Sequence, residues 1–455
     1  MPWDSPTPAP HRTRWRMKRI SRRDFARLGT AGIGTVALRS FAAEEMRMPP
    51  KPTGIPTMWI GAVTHDSGTV KAKLPPQAEA RLLVRAPDAE PVTFLPEPPV
   101  EKSGTVRTFR LHGLAALTRH TCTLEVNGKP SSYPPAMLRT FPTPGNATSF
   151  GFAFGSCART GSEHPVFDTI RKQDPAFFLH LGDLHYTNIS RDNPQYFRAA
   201  WDTVLASVTQ GALYRTVPLA YVWDDHDFGP NDSDARTPSR AAARRVYREY
   251  APHYPLPAGD GDTAIHQAFS IGRARFILTD LRSERSPKNM RDGAAKTMLG
   301  AAQKEWFKRE LAAAARSHAV VFWASSVPWI GAPDHGDGWP GYADERREIA
   351  GFIAQNGIRN LVILCGDAHM LAADDGRNSD YTGIRGLRIP VLHGSPLDQG
   401  ASMKGGPYSH GVHLPEPGEG CFGLVNVLDD GGGVRIEFTG SDEFADVKVR
   451  MAFAV

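Results

Sequence analysis

Cys157, Asp183, Tyr186, the run Asp224-Asp225-His226-Asp227, Asp367 and His369 carry side chains suited to holding cations or moving protons, and each cluster directly follows an apolar run. Phe150–Phe154 leads into Gly155-Ser156-Cys157-Ala158-Arg159, and Phe177–Leu181 into Gly182-Asp183-Leu184-His185-Tyr186. Leu219–Trp223 leads into the aspartate-rich run, Phe276–Thr279 into Asp280-Leu281-Arg282, and Leu361–Cys365 into Gly366-Asp367-Ala368-His369. Taken singly these are ordinary: Gly-Asp makes a turn, a cysteine fills a core, and clustered aspartates cap a helix. Together they bring a thiolate, a phenolate, several carboxylates and two imidazoles to the ends of apolar segments. So many like charges need cations to share one crevice, and the chemistry expected is that of a metal centre.

Such a crevice needs elements that end side by side. From residue 149 onward, continuous apolar runs alternate with helical periodicity, as in a sheet whose strands are buried on both faces. The expected strands are Phe150–Phe154, Ala176–Leu181, Pro218–Trp223, Arg275–Thr279, Ala319–Ala324 and Asn360–Cys365. Helices are expected over about 163–172, 196–208, 238–250, 299–316 and 344–356, the second from the one-face spacing of Tyr196, Phe197, Ala200, Trp201, Val204, Leu205 and Val208. This predicts an α/β domain over 149–455, with ligands at the carboxyl ends of its strands. Long loops are expected at 284–298 and 372–418, shaping the cleft.

Before it, six short β-type runs lie between residues 57 and 143: Trp59–Val63, Thr69–Leu74, Ala80–Arg85, Val106–Leu111, Thr121–Val126 and Met137–Phe141. They predict a small β-sandwich. The stretch from Leu114 to His120 resembles the corner of a fibronectin type III domain, with His120 where tyrosine is usual.

The 455 residues are 41% hydrophobic and 22% charged, which excludes a disordered, collagen-like or disulfide-stapled chain. The net charge of +5 is concentrated at the front. Residues 1–42 alone carry a net of +7, leaving −2 for the remainder, so nucleic-acid binding loses its main support. That segment holds Ser21-Arg22-Arg23-Asp24-Phe25, a Gly-rich apolar run from Leu28 to Leu38 and Ser40-Phe41-Ala42. It resembles a twin-arginine export signal, too short to span a bilayer, which implies the translocation machinery as a partner and a periplasmic or extracellular mature protein without a transmembrane segment. Proline-rich residues 43–56 read as a linker. Four well-separated cysteines, Cys122, Cys157, Cys365 and Cys421, form no CxxC pair.

The strings SCAR, GDLHY, WDDHDFGPND, LTDLRSERS, MLGAAQKEWF and ILCGDAHM, in this order, resemble the alkaline phosphatase D (PhoD-like) branch of the calcineurin-like metallophosphoesterases. The resemblance implies a four-layer α/β/β/α catalytic domain, preceded by the sandwich, that hydrolyses phosphoesters at a multi-metal centre. By motif, Asp183 matches the carboxylate bridging two metals, while Tyr186 and His369 match ligands of ferric iron. Cys157 stands where most relatives have an Asp-x-His pair. Asp225 replaces the usual asparagine, Asp367 replaces the first histidine of Gly-His-x-His, and only Ser325 and Ser326 stand where a middle histidine is expected. The resemblance thus implies Fe3+ on Cys157, Asp183, Tyr186 and His369. It implies Ca2+, with Mn2+ or Mg2+ as alternatives, on Asp183, Asp225, Asp367 and Asn231, since hard oxygen donors suit such ions.

His226 matches a histidine that binds no metal and sits beside the scissile bond. Arg159 and Arg282 are candidate phosphate clamps, with carboxylate neutralisation as the competing role. The expected mechanism is in-line attack on phosphorus by a water or hydroxide that the metals activate, with arginine offsetting phosphoryl charge and His226 assisting the leaving alcohol. Phosphomonoesters and phosphodiesters are the expected substrates. A phospholipase or wall-polymer phosphodiesterase on the same site, and a non-catalytic surface-binding protein, are the alternatives. His164, His180, His185, His335 and His393 match no motif and read as ordinary polar residues.

Overall fold

A computed structural model describes residues 57–100, 104–334, 336–382 and 387–455. The expected export signal at 1–42, the linker at 43–56 and His335 lie outside the described residues.

The apolar runs form two large sheets in a mixed α/β fold. The first has nine strands, in the spatial order Val447–Ala454, Val434–Asp442, Cys421–Asp429, Phe150–Gly155, Phe178–His180, Leu219–Tyr221, Thr57–Gly61, Gly68–Lys73 and Val106–Leu111. The second has seven, in the order Gln267–Ile271, Ala274–Leu278, Val320–Ser325, Leu361–Cys365, Val391–Gly394, Leu371–Asp374 and Val412–His413. Phenylalanines on the facing sides join them: Phe152 meets Phe276 and Phe322 edge-on at 5.2 Å each, and Phe276 stacks on Phe322 at 4.9 Å. Rings at these separations prefer such offset and edge-to-face contacts, which add to their area burial.

Helices cover the other sides. Pro194–Ala206 and Val208–Thr216 contact the strand Thr57–Gly61, and Ala301–Ser317 contacts Ala274–Leu278 and Val320–Ser325. Asn193 starts the first of these, its side chain accepting from the Gln195 amide ahead of Pro194 at the first helical turn. Phe307 and Leu311 of Ala301–Ser317, with Ile349 and Ile353 of Ala343–Gln355, bury against Trp323 and Ile363 of the second sheet.

Five strands, Ala80–Arg85, Val92–Phe94, Arg119–Val126, Lys129–Pro130 and Ala136–Arg139, make a third sheet. Three neighbouring N-terminal strands instead extend the nine-stranded sheet, where Gly61 pairs in parallel with Leu219. His120 is buried and its Nδ1 lies 3.2 Å from the Thr118 carbonyl, a contact local to that corner.

The expectation of a loop over 372–418 is corrected. Leu371–Asp374, Val391–Gly394 and Val412–His413 are strands of the second sheet, Val391–Gly394 parallel to Leu361–Cys365 and Leu371–Asp374 antiparallel beside it. They are short and separated by glycine-rich stretches, which hides a strand period. Segment 284–298 contains no strand or helix.

Candidate metal centre

Register brings the reactive clusters together. Gly155 and Tyr221 flank His180 as its partners across three parallel strands, and Ser325 pairs with Cys365 in the second sheet, so within each set the strands end level. Two glycines let the sheet ends approach. A Cβ on Gly366 would lie 2.8 Å from the Leu181 carbonyl and 2.9 Å from that of Ser326, and one on Gly182 would lie 2.5 Å from the Asp224 nitrogen.

At these ends Cys157, Asp183 and Asp367 have φ of 64°, 55° and 62°. Asn188 and Asp232 beside them have 53° and 62°. The left-handed region is uncommon for residues other than glycine and persists where surrounding structure fixes it. The amide of Cys157 donates to the Gly182 carbonyl at 3.1 Å and that of Ala158 to the Asp183 carbonyl at 2.9 Å, holding two of these turns against each other.

The side chains converge on Asp183. Cys157 Sγ is 3.5 Å from its Oδ2, and the Tyr186 hydroxyl donates to that same oxygen at 2.9 Å. His369 Nε2 lies 3.2 Å from the Tyr186 oxygen, and its Nδ1 lies 2.6 Å from the Gly400 carbonyl. One donor atom each from Asp183, Asp225 and His226 lies within 4.8 Å of the others, as does one each from Asp225, Asp232 and Asp337. Asp225 also accepts from the amides of His226 at 3.0 Å and Asp232 at 2.7 Å.

Asp367 pairs with Lys404 Nζ at 2.5 Å through one oxygen, while its buried Oδ2 has no hydrogen-bond partner among the described residues. Asn231 is exposed, in the turn before Asp232. His226 Nδ1 lies 2.5 Å from Asn188 Oδ1, and its ring sits 4.0 Å from that of Tyr186.

Electrostatics describe the same place. Burial, then the charges of Asp225, Asp224, Asp227 and Asp367, pushes the Asp183 carboxyl well above its ordinary value. Burial, then Asp183 and Asp367, does the same to the Cys157 thiol, and burial with Asp183 and Cys157 raises the Tyr186 phenol. Burial also raises Asp367 against the pull of Lys404. Anionic ligands crowded out of water resist ionising until positive charge arrives. Together with the unpartnered Asp367 oxygen, this donor set of sulfur, phenol, imidazole and carboxylates fits bound cations.

The two arginines part company. Arg282 is buried, its fork donating to both oxygens of Asp224 at 2.7 and 2.8 Å and to Asp337 at 2.6 and 3.2 Å. Of its two expected roles, the geometry displays carboxylate neutralisation. Arg159 is exposed beside Cys157, and its backbone amide donates to Asp398 at 2.6 Å. Of the two serines in the stretch where a middle histidine was expected, Ser326 donates its hydroxyl to Asp224 and Ser325 to the Val327 carbonyl, each at 2.7 Å.

Asn188, Lys404 and Asp398 were missed by sequence reasoning. Only Asn188 carried a usable signal, standing two residues past the GDLHY string; the other two act across long chain separations.

Among curated proteins no sequence matches. A family model described as PhoD-like phosphatase matches residues 152–402. A solved structure titled "Structure of PhoD" is similar with a TM-score of 0.67 at 18% identity, covering 88% of this chain and 91% of that one, which shows a shared fold. A glycosyl hydrolase family 2 member from Bacteroides cellulosilyticus, at 8% identity over 88% of this chain and 63% of that one, has a TM-score of 0.26 and carries no argument.

Proposed function

Because the chain belongs to the PhoD-like phosphatase family and is a phosphoric ester hydrolase, we propose that it hydrolyses phosphomonoesters and phosphodiesters at an iron–calcium centre in the crevice described above. The observation that carries this reading is the convergence of the Cys157 sulfur and the Tyr186 oxygen on one oxygen of Asp183, with His369 alongside. Cys157, Asp183, Tyr186 and His369 would hold Fe3+. Asp183, Asp225, Asp367 and Asn231 would hold Ca2+, Mn2+ and Mg2+ being the alternatives. Bound there, the cations would lower the pKa of a water molecule and offset charge on phosphoryl oxygens.

The protein's own groups do the rest. Asn188 holds the proton on His226 Nδ1, leaving Nε2 without a hydrogen bond among the described residues and free to face a leaving oxygen. Arg159, exposed at the mouth and without an ion pair among the described residues, can take two phosphoryl oxygens. Arg282 fixes Asp224 behind the site and draws its carboxyl down against burial, which still pushes it up to about 8. The facing sheets, each with helices on its outer side, support the four-layer α/β/β/α reading, and the five-stranded N-terminal sheet is compatible with a fibronectin-III-like sandwich.

The serine-arginine-arginine pattern at residues 21–23 supports export by the twin-arginine machinery to the periplasm or beyond. No helix of the described residues is long and apolar enough to cross a membrane.

Purified protein reconstituted with iron and calcium is expected to turn over p-nitrophenyl phosphate and bis-p-nitrophenyl phosphate, and to show a visible tyrosinate-to-iron band. Failure on both substrates by metal-replete protein overturns the activity; an active but iron-free, colourless protein overturns the ligand assignment alone.

A further inference from the structure

A second group of ligand-type side chains shares no residue with the crevice. His413 ends the strand Val412–His413, Cys421 begins the strand Cys421–Asp429, and the turn between them carries Glu419. His413 Nε2 is 3.0 Å from Glu419 Oε1. One donor atom from each of His413, Glu419 and Cys421 lies within 4.8 Å of the other two. Cys421 is a buried free thiol, and the His413 and Glu419 side chains are 24% and 11% exposed. We propose that these three residues form a structural site for a zinc-class divalent cation.

The donor set selects the ion. One sulfur, one ring nitrogen and one carboxylate oxygen suit a borderline cation in tetrahedral geometry, whereas calcium and magnesium avoid sulfur. Bond lengths of about 2.0–2.3 Å around a tetrahedral zinc place its ligand atoms roughly 3.3–3.8 Å apart. The His413–Glu419 pair is 3.0 Å apart and no separation in the group exceeds 4.8 Å, so small side-chain adjustments would bring the atoms to that spacing. Charge agrees as well: a thiolate and a carboxylate together balance one divalent ion. Lys448 Nζ is 3.6 Å from Glu419 and 2.7 Å from Asp442, so an ordinary ion-pair cluster is the competing account. In that account Cys421 only fills buried space, so the two are told apart by whether its sulfur takes a metal.

The frame is fixed before any ion arrives. Gly420 packs so tightly that a Cβ would lie 2.4 Å from the Leu397 carbonyl, the Cys421 amide donates to the Pro396 carbonyl at 2.8 Å, and Glu419 Oε2 accepts from the Glu416 amide at 2.7 Å. A cation here would tie the two ends of turn 414–420 to each other, beside Pro396-Leu397. The next residue, Asp398, receives the Arg159 amide and the Ser162 hydroxyl at the mouth of the crevice.

The test is a cobalt(II) titration of the full chain carrying Cys157→Ser, which removes the other sulfur ligand. A thiolate-to-cobalt band with tetrahedral d–d absorption is expected, saturating at one equivalent and displaced by zinc. It should vanish when Cys421→Ser or His413→Ala is added. No such band, or one that survives Cys421→Ser, overturns the site. Should Cys157→Ser fail to fold, wild type and His413→Ala are equilibrated with zinc and analysed: one zinc fewer per chain in the variant is expected, and equal counts overturn the proposal. The hydrolase reading is checked apart, on Cys421→Ser with Cys157 intact: it stands where phosphatase activity is retained, whatever the cobalt result.

Discussion

The guanidinium of Arg282 lies wholly inside the protein, bonded to Asp224 and Asp337, while that of Arg159 lies in solvent beside Cys157. One side-chain type therefore has two opposite liabilities. Lysine at 282 cannot reproduce the planar fork and would leave buried carboxylates undercompensated, so Arg282→Lys is expected to cost about 3 kcal/mol or more, read as a lower urea midpoint. Arg159→Ala is expected to leave the midpoint unchanged and raise KM for p-nitrophenyl phosphate about tenfold, the worth of a hydrogen bond to a charged group. If instead Arg159→Ala unfolds the protein while Arg282→Lys spares it, the assignment of the two is reversed. A similar contrast separates ligand from acid. Cys157→Ala is expected to lose iron by elemental analysis, whereas His226→Ala should keep its metal content and slow kcat by about 10²–10⁴-fold. Equal metal loss in both variants would make His226 a ligand.

Between elements, the decisive contacts are between glycines and backbone. Gly182 has φ of +96° and a Cβ there would press on Asp224 Cβ at 2.4 Å, whereas Gly113, at φ +69°, has nothing within 4 Å of that position. Gly113→Ala should therefore show only the conformational cost of a left-handed alanine, about 1 kcal/mol. Gly182→Ala should add an overpacking cost of about 1–3 kcal/mol and depress turnover at temperatures well below melting, because the strand end carrying Asp183 must move. Equal denaturant midpoints and equal turnover for the two variants would contradict this. The strands that end at the crevice were legible because burial on both faces makes them continuous apolar runs, and their reactive ends stand out by contrast. Val434–Asp442 carried a weaker signal: Val434, Ile436 and Phe438 are buried and alternate with Arg435 and Glu437, a half-buried period with no reactive residue to mark it. The helix Val208–Thr216 was hidden because Ser207 both ends the preceding helix and caps this one, its hydroxyl accepting from the Gln210 amide. Lys404 and Asp398 lay beyond reach altogether, since no local pattern says which distant strand end a loop will face.

At the scale of the whole molecule, the described residues fall within one compact unit whose interior holds histidines as well as phenylalanines. His180 is enclosed by Phe178, Tyr214 and Tyr221, His393 lies against Tyr408, and neither ring nitrogen of either residue has a hydrogen-bond partner among the described residues. Burial lowers both imidazoles from 6.5 to about 3. Between those values the folded protein keeps them neutral while the unfolded chain protonates them, so the unfolded state binds more protons and stability rises with pH across the window. Acid therefore withdraws stability as pH falls from about 6.5 toward 3, by up to ~1.4 kcal/mol per pH unit for each ring well below 6.5. The crevice carboxylates that are pushed upward, Asp183, Asp224, Asp227 and Asp367, act in the opposite sense over part of this range, so the histidine share must be isolated by difference. Phenylalanine is close in size and has no proton to bind, making His180→Phe with His393→Phe the suitable variant. Urea unfolding of wild type and this double variant at intervals from about pH 7.5 to about 4.5 should show wild type losing stability faster, with the gap widening below about pH 6.5. Parallel curves would mean that these two histidines are not held neutral inside the fold.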